Sequence, residues 1–418
     1  MKKRIVFIVS CLVFTFLCLM LTAFMGCSEQ IIDPNSRQTD PIEFTQLEKQ
    51  IASSASSFGL KIFDEVTQTA RDENVFISPL SISMALGMTL NGADGDTYTA
   101  MKDALELNGL SEEEINATYK NLIAELTSAD SDVQFQIANS IWYRNTMTFE
   151  QQFIQTNIDY FDAFVQAMNF GDPATISVIN QWIDDKTNGT ITEVLEEIDP
   201  NTVMFLINAL YFKGTWQKEF NPEATIDDTF YMTNGNQVSC KMMVQQNEYS
   251  YFENDLFQAV NLPYGNGQFY MTVLLPKGEQ VVESIIEEMN ESNWAQWLAS
   301  FNDTELVLRM PKFKIEYEAK LKDVLTQLGM GVAFTDRADF TKMYSPGNLD
   351  ISEVIHKTFV EVNEEGTEAS AVTVVEIELT SAHDSVQSMY VNKPFIFVIH
   401  EKDSGSILFM GKISNPVN

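Results

Sequence analysis

Residues 364–380 read Glu364-Glu365-Gly366-Thr367-Glu368-Ala369-Ser370-Ala371-Val372-Thr373-Val374-Val375-Glu376-Ile377-Glu378-Leu379-Thr380. Every second residue from Thr367 to Leu379 is small or apolar, namely Thr367, Ala369, Ala371, Thr373, Val375, Ile377 and Leu379. Most residues between them are polar. That is the period of a strand with one buried face. Such a strand would reach roughly 45 Å at about 3.3 Å per residue, well beyond the usual length of about five or six residues. Its buried face begins with tiny side chains and ends with large ones. Small leading residues lower the steric cost of threading between strands that already exist. Gly366 stands just before them, where backbone freedom suits a hinge. The pattern alone allows two readings, a plain long hairpin strand or a strand able to join a sheet.

Motifs elsewhere decide between them. Upstream lie Asn74-Val75-Phe76-Ile77-Ser78-Pro79-Leu80-Ser81-Ile82 and Asn208-Ala209-Leu210-Tyr211-Phe212-Lys213-Gly214-Thr215-Trp216. Met310-Pro311-Lys312-Phe313-Lys314-Ile315 follows. Downstream lie Asn392-Lys393-Pro394-Phe395, Leu408-Phe409-Met410-Gly411-Lys412 and Asn415-Pro416. With the hinge pattern from Glu364 to Ala371, this ordered set resembles the serpin family over roughly residues 45–418. The resemblance implies an α+β fold, the serpin fold, with a large central β-sheet that can accept the reactive loop as an extra strand, further sheets and about nine helices.

The 418 residues are 45% hydrophobic and 20% charged, an ordinary globular balance. No Pro/Gly/Ser-rich linker divides the body and no fixed-period repeat is visible, so a single domain over 46–418 is expected. The formal net charge is -33, and all 59 acidic residues lie beyond residue 27. Such a surface repels nucleic acid, anionic lipid and sulfated polysaccharide. Where some serpins carry a basic heparin-binding helix, this chain reads Ser111-Glu112-Glu113-Glu114-Ile115. No heparin-type activation is expected.

Residues 1–27 read as a targeting segment. Lys2, Lys3 and Arg4 precede an apolar run from Ile5 to Met25, closed by Gly26-Cys27. This resembles a bacterial lipoprotein signal, with Cys27 as the lipidated residue. Phe24 and Met25 depart from the usual residues before that glycine. An uncleaved membrane anchor and a plain secretory signal are the alternatives, and each exports the body. Residues 28–45 are polar, with Pro34 and Pro41, and read as a tether between membrane and body. Cys11 and Cys18 fall in the signal, which leaves Cys240 alone in the body, a packed strand residue with no partner for a disulfide or a metal. A monomer is expected.

Apolar spacing predicts helices over 46–70 (Ile51, Phe58, Ile62, Val66), Ile82–Leu90, 111–127, Glu150–Phe161, Thr175–Thr187 and Tyr317–Leu328. The helix over 111–127 carries a capping box of Ser111 and Glu114. Strands are predicted over Phe135–Tyr143, Val203–Lys213, Met271–Leu275 and Glu305–Met310, the second buried on both faces.

Signals for catalysis are poor. The histidines are His356, His383 and His400. There is no Gly-x-Ser-x-Gly elbow, no Cys-x-x-Cys, no phosphate-binding Gly-Lys-Ser/Thr loop and no second His for a zinc-protease helix. The glycine pairs Gly265/Gly267 and Gly329/Gly331 lack the rest of a dinucleotide fingerprint. No metal site and no cofactor are expected, and the chain does not read as an enzyme.

The resemblance assigns roles residue by residue. His356 matches the histidine of the shutter, beside Ser78, Ser81 and Asn208, under the central strands. A histidine at a strand start is otherwise most often a hydrogen-bonded core residue. Trp216 and Lys312 match the breach, where the hinge enters the sheet and Glu364 would pair with Lys312. The hinge residues are Glu364, Gly366, Thr367, Ala369, Ser370 and Ala371. Spacing from Gly366 places the reactive bond at Thr380-Ser381, with Leu379 and Ala382 as neighbours. Counting back from Asn392 places it at His383-Asp384, so the loop is slightly longer than the family norm. No Lys or Arg lies between Gly366 and Val391, which argues against trypsin-like targets. Thr380 suits elastase- or subtilisin-like serine proteases and Leu379 chymotrypsin-like ones. Leu379 also suits papain-like cysteine proteases, and Glu376 and Glu378 leave room for a Glu-specific protease. The expected activity is suicide inhibition by loop cleavage, acyl-enzyme trapping and loop insertion. The alternative is a non-inhibitory surface binding protein.

Overall fold

The computed structural model describes residues 41–367 and 386–417; Cys27, Ala369, Ser370, Ala371, Leu379, Thr380, Ser381 and Ala382 lie outside them. Chain order begins with α1 (Gln46–Thr69), β1 (Val75–Ile77), α2 (Pro79–Leu90), α3 (Gly95–Ala104) and α4 (Glu112–Ser128). Thr45 and Glu48 close a capping box on α1, and Ser111 and Glu114 close another on α4, so backbone donors at both helix starts are satisfied. Ile51, Phe58, Ile62 and Val66 all face the core. Within the stretch read as a tether, Ile42 N donates to Asp403 Oδ2 at 2.9 Å and Phe44 is buried. The end of that stretch is therefore packed on the body.

The middle of the chain supplies β2 (Val133–Arg144), α5 (Gln151–Phe161), β3 (Phe164–Met168), α6 (Ala174–Lys186) and β4 (Met204–Thr215). Then come β5 (Ile226–Tyr231), β6 (Gln237–Glu253), β7 (Phe257–Pro263), β8 (Phe269–Pro276), α7 (Val282–Glu288), α8 (Glu291–Leu298) and β9 (Asn302–Pro311). The remainder is β10 (Phe313–Lys320), α9 (Lys322–Leu325), β11 (Ile355–Val362), β12 (Gly366–Thr367), β13 (Gln387–Tyr390), β14 (Phe395–Glu401) and β15 (Ile407–Ile413). Six strands form one sheet in the order β10-β11-β12-β4-β2-β3. The other nine form a second sheet, β1-β15-β14-β8-β7-β6-β9-β13, with β5 paired to β6.

Aromatic side chains lock the two sheets together. Phe212 of β4 meets Phe269 at 5.8 Å and Phe409 at 6.3 Å between ring centroids. Phe76 of β1 stacks on Phe397 at 5.5 Å and on Phe409 at 5.1 Å. Its carbonyl accepts the Thr358 hydroxyl of β11 at 2.6 Å. The buried core thus fixes the position of a strand in the first sheet.

Two expectations fail locally. Tyr317–Lys320 is not the start of a helix but the end of β10, paired with Thr358–Ile355 of β11. Phe313, Ile315, Tyr317 and Ala319 alternate, and strand pairing overrides the weaker helical spacing. Only Lys322–Leu325 and the following turn are helical, and Gly329 (φ +101°) ends the segment as its backbone freedom predicts. The second departure is in β4. Met204, Phe205 and Leu206 are only half buried, where burial on both faces was expected. The reason is a slot beside β4, described below.

Phe76→Ala should cost about 3–5 kcal/mol through the cavity it leaves between Phe397 and Phe409. Urea unfolding of the intact protein checks this, and a loss under about 1 kcal/mol would show that the stack contributes little to the core.

Candidate functional site

The described end of the hinge, Gly366 and Thr367, forms a strand. β12 lies between β11 and β4, with Thr367 opposite Val362 on one side and Gly214 on the other, and Gly366 opposite Thr215. Asn363 makes the reversal that allows this. Its N–H donates to Gly366 O at 2.9 Å, and its Oδ1 accepts from Glu365 N at 3.0 Å and Gly366 N at 3.3 Å. Gly366 has φ +150°, and a Cβ there would strike the Gly214 carbonyl oxygen and lie 2.7 Å from Thr215 Cα. Only glycine fits so close to another backbone. Thr367 is buried, and its hydroxyl meets Tyr264 OH at 2.7 Å.

Around it sits the breach. Trp216 N donates to Glu365 O at 2.8 Å, and its Nε1 donates to Asn363 O at 2.9 Å. The indole stacks on Tyr264 with centroids 4.5 Å apart. Lys312 Nζ contacts Glu364 Oε2 at 2.7 Å, the Thr225 hydroxyl donates to Oε1 at 2.7 Å, and Phe220 N donates to Glu364 O at 2.8 Å. Burial pushes the Glu364 carboxyl up, but the bonds from Lys312 and Thr225 and the lysine charge outweigh it and hold it below its ordinary range. The Glu364 side chain is 10% exposed and that of Lys312 38%, so the pair is screened less than a surface ion pair.

Below β12, β11 and β4 share no ladder of their own among the described residues. A cavity of about 150 Å³ opens there, lined by Ser81, Ile207, Asn208, Ile355 and His356 among others. A smaller one, bounded by Leu210, Phe212, Phe359 and Thr367, lies directly under the hinge. Together they trace a slot between two strands, closed at one end by β12.

The residues that the resemblance assigned to the shutter lie along this slot. His356 Nε2 accepts from Ser78 N at 3.0 Å, so that nitrogen carries no proton. Burial pushes the imidazole down to about 3, and it is neutral at ordinary pH. Ser78 caps α2 by accepting from Ser81 N at 3.2 Å. The Ser81 hydroxyl donates to Asn208 Oδ1, Asn208 Nδ2 donates to Asn139 Oδ1, and Asn139 Nδ2 donates to Phe161 O at 2.6 Å. One chain of hydrogen bonds thus joins β11, α2, β4, β2 and the end of α5.

The structure brings Ser78, Ser81, Asn208 and His356 together, and it brings Trp216, Lys312, Glu364, Gly366 and Thr367 together. Sequence reasoning did not single out Asn139, Thr225, Tyr264 or Asn363 for the site. Asn139 had a signal, since it breaks the apolar series Val133, Phe135, Ile137, Ile141 on one face of β2. The others had none. Elsewhere, His400 is buried against Thr272 Oγ1 at 2.9 Å and pushed down to about 4 by burial. Cys240 is buried in β6, its thiol pushed up to about 11 by burial, so it is an inert packing group. No group of His, Cys, Asp and Glu among the described residues could hold a metal ion.

The site is thus a sheet with a two-residue strand, Gly366–Thr367, at one end of a slot between β11 and β4. A family model described as "Serpin (serine protease inhibitor)" matches residues 53–416. Human neuroserpin is 30% identical over 372 residues, covering 86% of this chain and 90% of its own. Among solved structures, tengpin, a thermophilic serpin in the native state, superposes with a TM-score of 0.80 at 32% identity, covering 90% of this chain and 97% of its own. Human thyroxine-binding globulin complexed with thyroxine superposes with a TM-score of 0.81 at 26% identity, covering 89% and 100%. The chain belongs to the serpin family, and protease inhibition rather than catalysis is the activity that membership supports. No helix among the described residues is long and apolar enough to cross a membrane.

The His356 imidazole has a pH signature. Its folded value lies below that of an unfolded histidine near 6.5, so the unfolded chain binds the proton first. The stability it contributes is full above 6.5 and falls as pH drops from 6.5 toward 3. His356→Gln keeps an acceptor for Ser78 N and should lessen the acid slope by ~1 kcal/mol per pH unit. Urea unfolding at pH 4.5, 5.5 and 6.5 reads it, and an unchanged slope would mean His356 is not a buried neutral group.

Proposed function

We propose that this serpin is a suicide inhibitor of proteases, consumed in a single event. The observation that carries the reading is β12, two residues of the loop already seated between β11 and β4 above an open slot. The residues that would follow, Ala369, Ala371 and Thr373, are small on the inward face. No Pro occurs from Gly366 to Met389, so no ladder donor is missing. A target protease's serine oxygen attacks the Thr380 carbonyl carbon, the Thr380–Ser381 bond breaks, and the Ser381 amine leaves with the proton taken from the serine. The acyl ester remains on Thr380. Freed at that end, residues 368–380 extend β12 down the slot and carry the ester-linked protease with them. Distortion of its active site stops deacylation. Serpin loop insertion is a standard example of strand addition and stored-strain release.

Elastase-, subtilisin- or chymotrypsin-like enzymes fit the bait at Thr380 or Leu379. Trypsin-like enzymes do not, because the loop offers no cation. Papain-like cysteine proteases are the cross-class alternative, through Leu379. Lipidation of Cys27 would hold the exported body at the cell envelope through the polar stretch that follows. A second reading, a non-inhibitory surface binding protein, is favoured by the likeness to thyroxine-binding globulin, whose structure holds thyroxine.

Incubating the soluble body with neutrophil-type elastase, subtilisin, chymotrypsin and papain should give, for at least one, a band that survives denaturing electrophoresis at the summed mass. Thr367→Arg, a large cation at a buried site against Tyr264, should turn the inhibitor into a substrate that is cleaved and released. Full inhibition by Thr367→Arg would sink the insertion mechanism. Cleavage of the unaltered protein by all four without any such band would favour the binding-protein reading.

A further inference from the structure

The turn Tyr264-Gly265-Asn266-Gly267 between β7 and β8 contains a glycine pair that no nucleotide site explains. Gly265 has φ +44° and Gly267 φ +87°, so both need glycine's freedom. From this turn two contacts reach the hinge. Gly265 N donates to Thr215 O at 2.9 Å, and Thr215 lies opposite Gly366. Tyr264 holds the Thr367 hydroxyl at 2.7 Å and stacks on Trp216. Whatever sets the position of the turn therefore sets the seat of β12.

On its other side the turn rests on Asp130, just beyond the end of α4. Asp130 is buried, at 4% exposure. Its Oδ2 accepts from Asn266 N at 2.7 Å and its Oδ1 from Asp132 N at 2.8 Å. Asn266 answers with Nδ2 to Ala129 O at 3.1 Å, and its Oδ1 accepts from Gln268 N at 3.0 Å. A Cβ on Gly265 would strike the Asp130 carboxylate, so the two pack without a gap. Amide bonds to a carboxylate are about twice as strong as neutral ones, and both oxygens here accept an amide.

We infer that Asp130 is a positioning residue for loop insertion. Its carboxylate fixes the β7–β8 turn and, through Gly265 and Tyr264, the depth at which Gly366 and Thr367 sit between β11 and β4. The link from Asp130 to Gly366 and Thr367 runs through the turn. The inference rests on the loop-insertion reading for its functional meaning, but the linkage itself is read without any protease.

Hydrogen exchange measured by mass spectrometry on the intact protein tests it, following peptides that cover 263–268, 355–359 and 363–367. Asp130→Asn keeps the volume and one acceptor oxygen and loses the other. It should speed exchange in 363–367 by about tenfold, the scale of one lost charge-assisted bond. Tyr264→Phe should do the same, and the double variant should add little, because both act through one link. Asn266→Ala, which leaves the carboxylate in place, should move 363–367 in the same direction and serves if Asp130→Asn does not fold. Faster exchange in 263–268 with 363–367 unchanged would overturn the inference, and so would equal acceleration of all three peptides. An inhibitor that fails to trap any protease leaves this linkage standing, whereas a working trap with unmoved hinge exchange removes Asp130 alone.

Discussion

Two long strands, β4 and β11, stand side by side in the central sheet with a slot between them instead of a ladder. Backbone donors and acceptors on strand edges seek partners, and a slot lined partly by apolar side chains offers few. Every other notable feature of the site follows from that arrangement. The hinge closes the upper end with two residues, and the half-buried start of β4 is the lower end of the same opening. Under the proposed mechanism, such a sheet would gain both hydrogen bonds and apolar burial from one more strand, the one proposed to come from 367–380.

A set of small contacts ties the strands on either side of the slot to their surroundings. His356 ties β11 to Ser78 at the head of α2, and Ser81 carries the chain of bonds on to Asn208, Asn139 and α5. Glu364 is held by Lys312 and Thr225 at the upper end. None of these contacts is large alone. They are buried and linked, so separating the strands breaks several at once, and linked buried bonds are worth more than isolated ones. The Phe76, Phe397 and Phe409 rings pack together behind them in the second sheet.

Much of this was legible in the chain. The capping box of Ser111 and Glu114 marked a helix start that the structure contains, whereas the period-2 run beyond Thr367 lies outside the described residues. The pairing of Glu364 with Lys312 was expected by resemblance, and the two atoms lie 2.7 Å apart. Tyr317–Lys320 misled because its apolar positions fit both periods, and only the partner strand β11 decides between them. Tyr264 and Asp130 gave no signal. Their roles arise from tertiary contacts to Thr367 and to a turn far away in sequence, and no local pattern encodes those. Asn139 lies between these cases, a polar break in an apolar series whose partner Asn208 became apparent only in register.

The measurement that bears most directly on the slot is thermal unfolding of the protein before and after a single cut in the loop, made by a protease that cleaves near Thr380 and is then removed. If residues 368–380 extend β12 down the slot, the cleaved protein gains a full-length central strand and unfolds far above the intact protein. An unfolding temperature unchanged by the cut would mean that the slot does not take up the loop, and the account of this chain as a loop-inserting inhibitor would be wrong.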